Sequence, residues 1–295
     1  MSRVHPPPAT IDAPPVLNGR NRLAEPPTPP PPAWSGGRRR RATRLLVWGG
    51  VLAAVAWSLA GTGVGAGSLV DGRSGAARLL RGLIPPDMSG ELLTRVGEAI
   101  VETVQISISG LVLGAVLGIP MAVLIAGNVG APSWLAAAVR LTAAGLRGVP
   151  ELLWALLFVA TVGLGPAAGA YAIGLHAAGL LAKLCSEQLE AVDPAPVEAM
   201  RVTGASSLAT TLLAIIPQAR NGLASLLLYQ WECNIRSSAV VGFVGAGGIG
   251  QALGIALRLF RYHELATLLA AVLLLVLVVD RLSRRLRRAM GAAAR

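Results

Sequence analysis

Six predominantly apolar runs, at roughly 45–64, 98–126, 134–161, 166–184, 217–236 and 263–281, each reach or approach the twenty or so residues that a helix needs to cross bilayer hydrocarbon. Within lipid every backbone N–H and C=O must find its partner inside the protein, which leaves runs of this kind helical. A hydrophobic share of 54% over 295 residues, with a mean hydropathy of +0.61, excludes an ordinary soluble domain. The expected fold is an all-α integral membrane protein of about six transmembrane helices.

The net charge of +11 raises nucleic acid as a partner, but most arginines lie through Arg44 and from Arg281 to Arg295, flanking apolar runs. They read as positive-inside flanks, and no nucleic-acid partner is expected. Arg38 to Arg41 before the first run, and Arg284, Arg285, Arg287 and Arg288 after the last, place both termini in the cytoplasm if the crossings are even in number. The same count puts residues 185–216 in the cytoplasm and 65–97 and 237–262 outside. Residues 1–37 are proline-rich, with Pro29 to Pro32 unbroken, and are expected to be disordered or to serve as a ligand for a grooved partner. The expected division is a tail over 1–44, an anchor span over 45–64 that is retained rather than cleaved, a membrane domain over 90–285 and a basic tail over 286–295.

Chemistry is sparse. The single lysine, Lys183, follows Ala182, so there is no Gly-Lys-Ser/Thr phosphate loop. His5, His176 and His263 are scattered, no serine sits in a Gly-x-Ser-x-Gly elbow, and Cys185 and Cys233 suit neither a disulfide framework nor a metal site. Neither a catalytic residue nor a cofactor nor a metal is expected. Gly245-Ala246-Gly247-Gly248-Ile249-Gly250 matches the dinucleotide fingerprint after a strand-like Val240 to Val244, yet no acidic residue follows about twenty positions on. Gly245, Gly247, Gly248 and Gly250 instead suit irregular, close-approaching backbone beside a cavity, a candidate outer gate. Gly110, Gly114 and Gly118 form a small-residue stripe for a close helix neighbour, and Pro120 is expected to kink that helix.

Residues 187–217 read as a helix–turn–helix. Asp193 caps a helix opened by Pro194, Gly204 ends it in the left-handed conformation, and Ser206 or Ser207 caps the next. At membrane depth the polar run Glu232, Asn234, Arg236, Ser237 and Ser238 stands out. Glu232 and Arg236 can pair with each other at i, i+4, or Arg236 and Asn234 can offer donors to a tetrahedral oxyanion. Arg147 and Glu151 repeat the spacing across Pro150 and read as structural, and His176 as a hydrogen-bonded packing residue.

Glu198, Ala199, Gly204 and Pro217 follow the Glu-Ala-Ala, Gly and Leu-Pro framework of the loop by which ABC importer membrane subunits grip their ATPase, and the chain resembles that family. Trp231-Glu232-Cys233-Asn234-Ile235-Arg236-Ser237-Ser238, running into Val241 to Gly250, resembles the phosphonate-type branch. So do Leu146 to Leu152, Gly163 to Pro166, and His176 to Gly179 with Lys183 and Glu187. The resemblance implies a core like type I importer permeases and transport without chemistry in a bacterial plasma (inner) membrane, the cargo being a phosphonate or related phosphorus oxyanion. Implied partners are two copies of an ABC ATPase, an extracytoplasmic substrate-binding protein, a second copy of the chain and membrane lipid. Methionine or phosphite import, or a scaffold without a pore, are the alternatives; the glycine-rich 242–250 region favours a pathway.

Overall fold

The computed structural model describes residues 37–62 and 66–291. The proline-rich stretch before residue 37, with its expected disorder or ligand role, lies outside the described residues, as does 292–295. The chain divides into two units, Met1–Asp71 and Gly72–Arg295. In the first, α1 (Gly37–Thr62) takes Arg38 to Arg41 into its opening turns, so the end of the expected 1–44 tail is helical. Its Thr43–Thr62 portion is 20 residues of span-length apolar helix. Helix α2 (Ala66–Gly82) crosses the division.

The larger unit continues with α3 (Gly90–Ile125), α4 (Ser133–Gly148), α5 (Glu151–Val162), α6 (Pro166–Glu190), α7 (Pro194–Val202) and α8 (Ser207–Thr210). A π-helical turn (Thr211–Ile215) then leads into α9 (Ile216–Gly242), α10 (Gly248–Arg258) and α11 (Tyr262–Ala289). Among the described residues there is no strand. Among the described residues five helical stretches are long and apolar enough to cross a membrane, or six if the bent pair α4–α5 counts as one.

Helices α3 and α6 form the central pair. Most of α6 is inside the protein, 61% of its most apolar window, because its Ala- and Gly-rich sequence lets neighbours approach on several sides. The stripe on α3 does what its spacing predicts: a Cβ on Gly114 would lie 2.8 Å from the Ala177 Cβ, and one on Gly118 only 2.7 Å from the Ala178 carbonyl oxygen. Backbone cannot yield there as a side-chain end can. Gly118→Val is therefore expected to destabilise the bundle by about 1–3 kcal/mol, read as a lower thermal midpoint in detergent. Unchanged stability would contradict this helix contact.

Helix α3 begins at Gly90, earlier than the expected 98, and runs unbroken through Pro120 for 36 residues. Its start is strapped to the start of α11. The His263 ring bonds the Pro85 carbonyl through Nδ1 at 2.7 Å, and Thr267 donates to the Asp87 carbonyl at 2.6 Å. The Ser89 N–H donates to the Asp87 carboxylate at 2.9 Å, which holds that carboxyl below its ordinary range.

The expected span over 134–161 is broken, α4 and α5 meeting at 85°. Pro150 carries no donor and pushes the preceding residue out of the helical region, and Val149 is extended at ψ 122°. Side chains take up the freed carbonyls: His176 Nδ1 lies 3.1 Å from the Val149 oxygen, and Trp154 Nε1 donates to Leu146 at 3.2 Å. The structural reading of His176 thus holds.

Candidate functional site

The α7–α8 hairpin forms as its residues dictate. The Asp193 carboxylate accepts from the Ala195 N–H at 3.0 Å, Gly204 takes φ +79°, and Ser206 Oγ accepts from the Ala209 N–H at 3.2 Å. Underneath, buried Val197 packs with Ala126, Leu189, Ala214, Ile215 and Ala219. Polar stitches fix the hairpin to the α3–α4 connection, Arg201 donating to the Asn128 carbonyl at 2.6 Å and Ser207 Oγ to Val129, and Asn128 Nδ2 ties that connection to the Leu189 carbonyl of α6 at 2.7 Å. Held this way, Glu198 and Ala199 point outward beside Val202, which is 88% exposed, and Leu208, 68% exposed. The second arm merges with the following span into one helical stretch, Ser207–Gly242, rather than closing at 217 as expected. Pro217 lacks an N–H and would crowd the carbonyl four residues back, and the π-turn before it relieves that crowding. Gln218 Nε2 donates to the Ala214 carbonyl at 2.8 Å.

The polar run on α9 separates into three groups. Asn234 is only 1% exposed; its Nδ2 donates to the Ser107 carbonyl at 3.2 Å and its Oδ1 accepts from Gln230 at 2.9 Å. Trp231 Nε1 adds a bond to Ser107 Oγ at 3.2 Å. Ser238 is buried and donates within its own helix to Ile235. The expectation that Asn234 offers donors to an anion is corrected: its amide joins α9 to α3, because a buried amide must be satisfied by protein.

Glu232 does not pair with Arg236. Its carboxylate lies 2.7 Å from Arg287 of α11, with side chains 9% and 20% exposed. Glu232 occupies the buried side of α9 whereas Arg236 is exposed, so the counter-charge comes from the neighbouring helix. This corrects the i, i+4 pairing: α11 stays helical through Ala289, into the stretch expected as a basic tail over 286–295, and brings Arg287 into the bundle. Nothing in a run of terminal arginines marked that one as different.

Arg236 and Ser237 make up the third group. Ser237 Oγ donates to Glu151 Oε2 at 2.6 Å, tying α9 to the first turn of α5 beside the break. Among the described residues the Arg236 side chain reaches only the Cys233 sulfur, at 3.4 Å, so its guanidinium keeps donors to spare on an exposed face of a spanning helix.

The glycine segment makes no strand: α9 stays helical through Gly242. Gly245, Gly247 and Gly248 have φ of +91°, +83° and +69°, and the Ile249 N–H donates to Thr103 Oγ1 at 2.8 Å. A Cβ on Gly250 would strike the Ala239 carbonyl. The expected close approach of backbone is present, and Gly247, Gly248 and Gly250 are buried.

Among the described residues the chain is thus an all-helical bundle with a broken span and an outward-facing hairpin. The description of the family "Binding-protein-dependent transport system inner membrane component" fits residues 114–292, and the chain belongs to that family. It is 38% identical over 221 residues to the phosphite transport system permease protein PtxC of Stutzerimonas stutzeri, covering 75% of this chain and 80% of the relative. It is 34% identical over 221 residues to the phosphate-import permease protein PhnE of Mycolicibacterium smegmatis, covering 75% and 41% respectively. A putative cryptic phosphonate transport system permease protein, PhnE2 of Escherichia coli, is 44% identical over 117 residues, 40% of this chain and 96% of the relative. Among solved structures, an inward-facing methionine ABC transporter aligns with TM-score 0.61 and 25% identity, over 69% of this chain and 99% of that one.

Proposed function

We propose that this chain is the membrane-spanning subunit of an importer that carries a phosphorus oxyanion, driven by ATP hydrolysis on a separate polypeptide. The observation that carries the reading is the α7–α8 hairpin: Glu198, Ala199 and Val202 face outward from a turn in which Gly204 takes φ +79°. An apolar, rigidly stitched protrusion of this kind suits a protein partner. The partner would be an ABC ATPase, two per complex, each meeting one hairpin of a homodimer, with a binding protein delivering cargo from the opposite face. Coupling would act by differential interaction with two states of the permease.

The cargo class follows from relatives named for phosphite, phosphate and phosphonate. Arg236, with Ser237 beside it, would line the path, and Gly245, Gly247, Gly248 and Gly250 would form the packed outer closure. Methionine is the second reading, supported by the likeness to the methionine transporter. Expression with its ATPase and binding protein in a strain lacking phosphorus-oxyanion uptake should restore growth on phosphite or a phosphonate as sole phosphorus source. Methionine uptake without phosphorus uptake would overturn the substrate.

Orientation is a separate expectation, based on the arginine-rich ends: a multi-pass protein of the inner membrane with both termini cytoplasmic. In a background with Cys185 and Cys233 replaced, a cysteine at Ser206 should react with a membrane-impermeant thiol reagent only after the inner face is opened, and one at Ser74 in intact cells. Labelling at Ser206 from outside would invert the arrangement.

A further inference from the structure

We propose that Arg140, Arg147 and Lys183 form an anion-binding vestibule within this single chain, where a phosphorus oxyanion rests on leaving the bundle; the inference rests on the reading of the cargo given above. The three cations line a cavity of about 240 Å³ between α4 and α6, floored by Ile125 and Ala143, with Ser186, Glu187 and Glu190 completing it. That space equals roughly eight waters at about 30 Å³ each, enough for a tetrahedral oxyanion and part of its hydration shell.

The cavity is at the hairpin end of the bundle. Glu190 Oε1 accepts from the Gly127 N–H at 2.8 Å, one residue before the Asn128 that Arg201 grips.

Cations outnumber carboxylates three to two, and the carboxylates are engaged, Glu190 by Gly127 and Glu187 by Lys183 at 2.8 Å. Among the described residues the Arg140 side chain reaches only the Ile125 carbonyl, at 3.4 Å. The Arg147 side chain has no hydrogen bond or ion pair among the described residues. An uncompensated arginine on a spanning helix must face water or an anion. At about 100° per residue the two arginines lie roughly 100–140° around α4 from its exposed apolar residues Trp134 and Leu141. The placement is built in: a Cβ on Gly179 would lie 2.6 Å from the Arg147 N and 2.7 Å from the Ala143 carbonyl, so only glycine lets α4 settle this closely on α6. A guanidinium fork suits a tetrahedral oxyanion. The Glu187 carboxylate competes for Lys183, which keeps the grip weak enough for release.

The test uses the full complex with its ATPase and binding protein, in proteoliposomes, with radiolabelled phosphite, phosphate and methylphosphonate. Arg147→Gln should lower uptake and equilibrium binding of phosphite by about tenfold, the scale of one charge-assisted hydrogen bond, with ATPase retention unchanged. Arg147→Lys should recover most of it. Glu187→Gln should bind several-fold tighter, a direction that lost packing would not produce. Should Arg147→Gln fail to assemble, the Lys and Glu187 variants decide. Wild-type uptake with all variants unchanged would overturn the vestibule alone; no phosphorus uptake by the wild type would overturn the cargo reading and the vestibule with it.

Discussion

Gly204→Val should leave the bundle assembled and abolish both ATPase retention and uptake. The residue sits at φ +79°, and a Cβ there meets nothing within 4 Å, so the substitution is opposed by backbone conformation and not by crowding. A β-branched residue held left-handed costs about 1–2 kcal/mol, which the turn escapes by moving the Gly204 N–H off the Arg201 carbonyl, now 3.0 Å away. Glu198, Ala199 and Val202 then lose their common placement. The membrane helices, packed elsewhere, should accumulate normally. A Gly204→Val protein that keeps its ATPase and transports at the unmodified rate would contradict the assignment of the hairpin.

Arg287→Ala should destabilise the bundle by about 3–5 kcal/mol, because it leaves the Glu232 carboxylate buried without its counter-charge. The pair is 2.7 Å apart with both side chains largely out of solvent, so screening discounts little of this. Replacing both partners, as Glu232→Gln with Arg287→Gln, should recover much of the loss, since no isolated charge remains. Arg236→Ala, by contrast, removes no ion pair: the complex should retain its ATPase and lose uptake. Thermal midpoints in detergent separate these cases, and equal stability of Arg287→Ala and wild type would show that Glu232 is satisfied by something else.

Much of this was legible in the sequence, for local reasons. Asp193-Pro194, Gly204 and Ser206 each act through backbone groups within a few residues of themselves, so their roles follow from spacing alone, as does the contact stripe of Gly110, Gly114 and Gly118. The break at Pro150 lay within an apolar run long enough to read as one span; the proline signal was there, but its consequence depends on whether His176 and Trp154, from elsewhere, can satisfy the carbonyls it frees. Glu232 is the clearest failure. The i, i+4 rule describes an isolated helix, and burial against α11 replaced the nearby arginine by Arg287, distant in sequence. Asn234 likewise looked like a donor to ligand because the sequence does not show that Ser107 lies opposite. The proposed vestibule has no signature in the sequence, because Arg140 and Arg147 meet Lys183 only once α4 packs on α6.

The central claim is that this chain conducts a phosphorus oxyanion and is powered from outside itself. Reconstitution of the permease into liposomes, with and without its ATPase, and with binding protein loaded with radiolabelled phosphite or with methionine, tests it directly. Phosphite should accumulate only when the ATPase and ATP are present, with no hydrolysis by the permease alone. Accumulation of methionine but not phosphite, or ATP hydrolysis by the isolated chain, would contradict it.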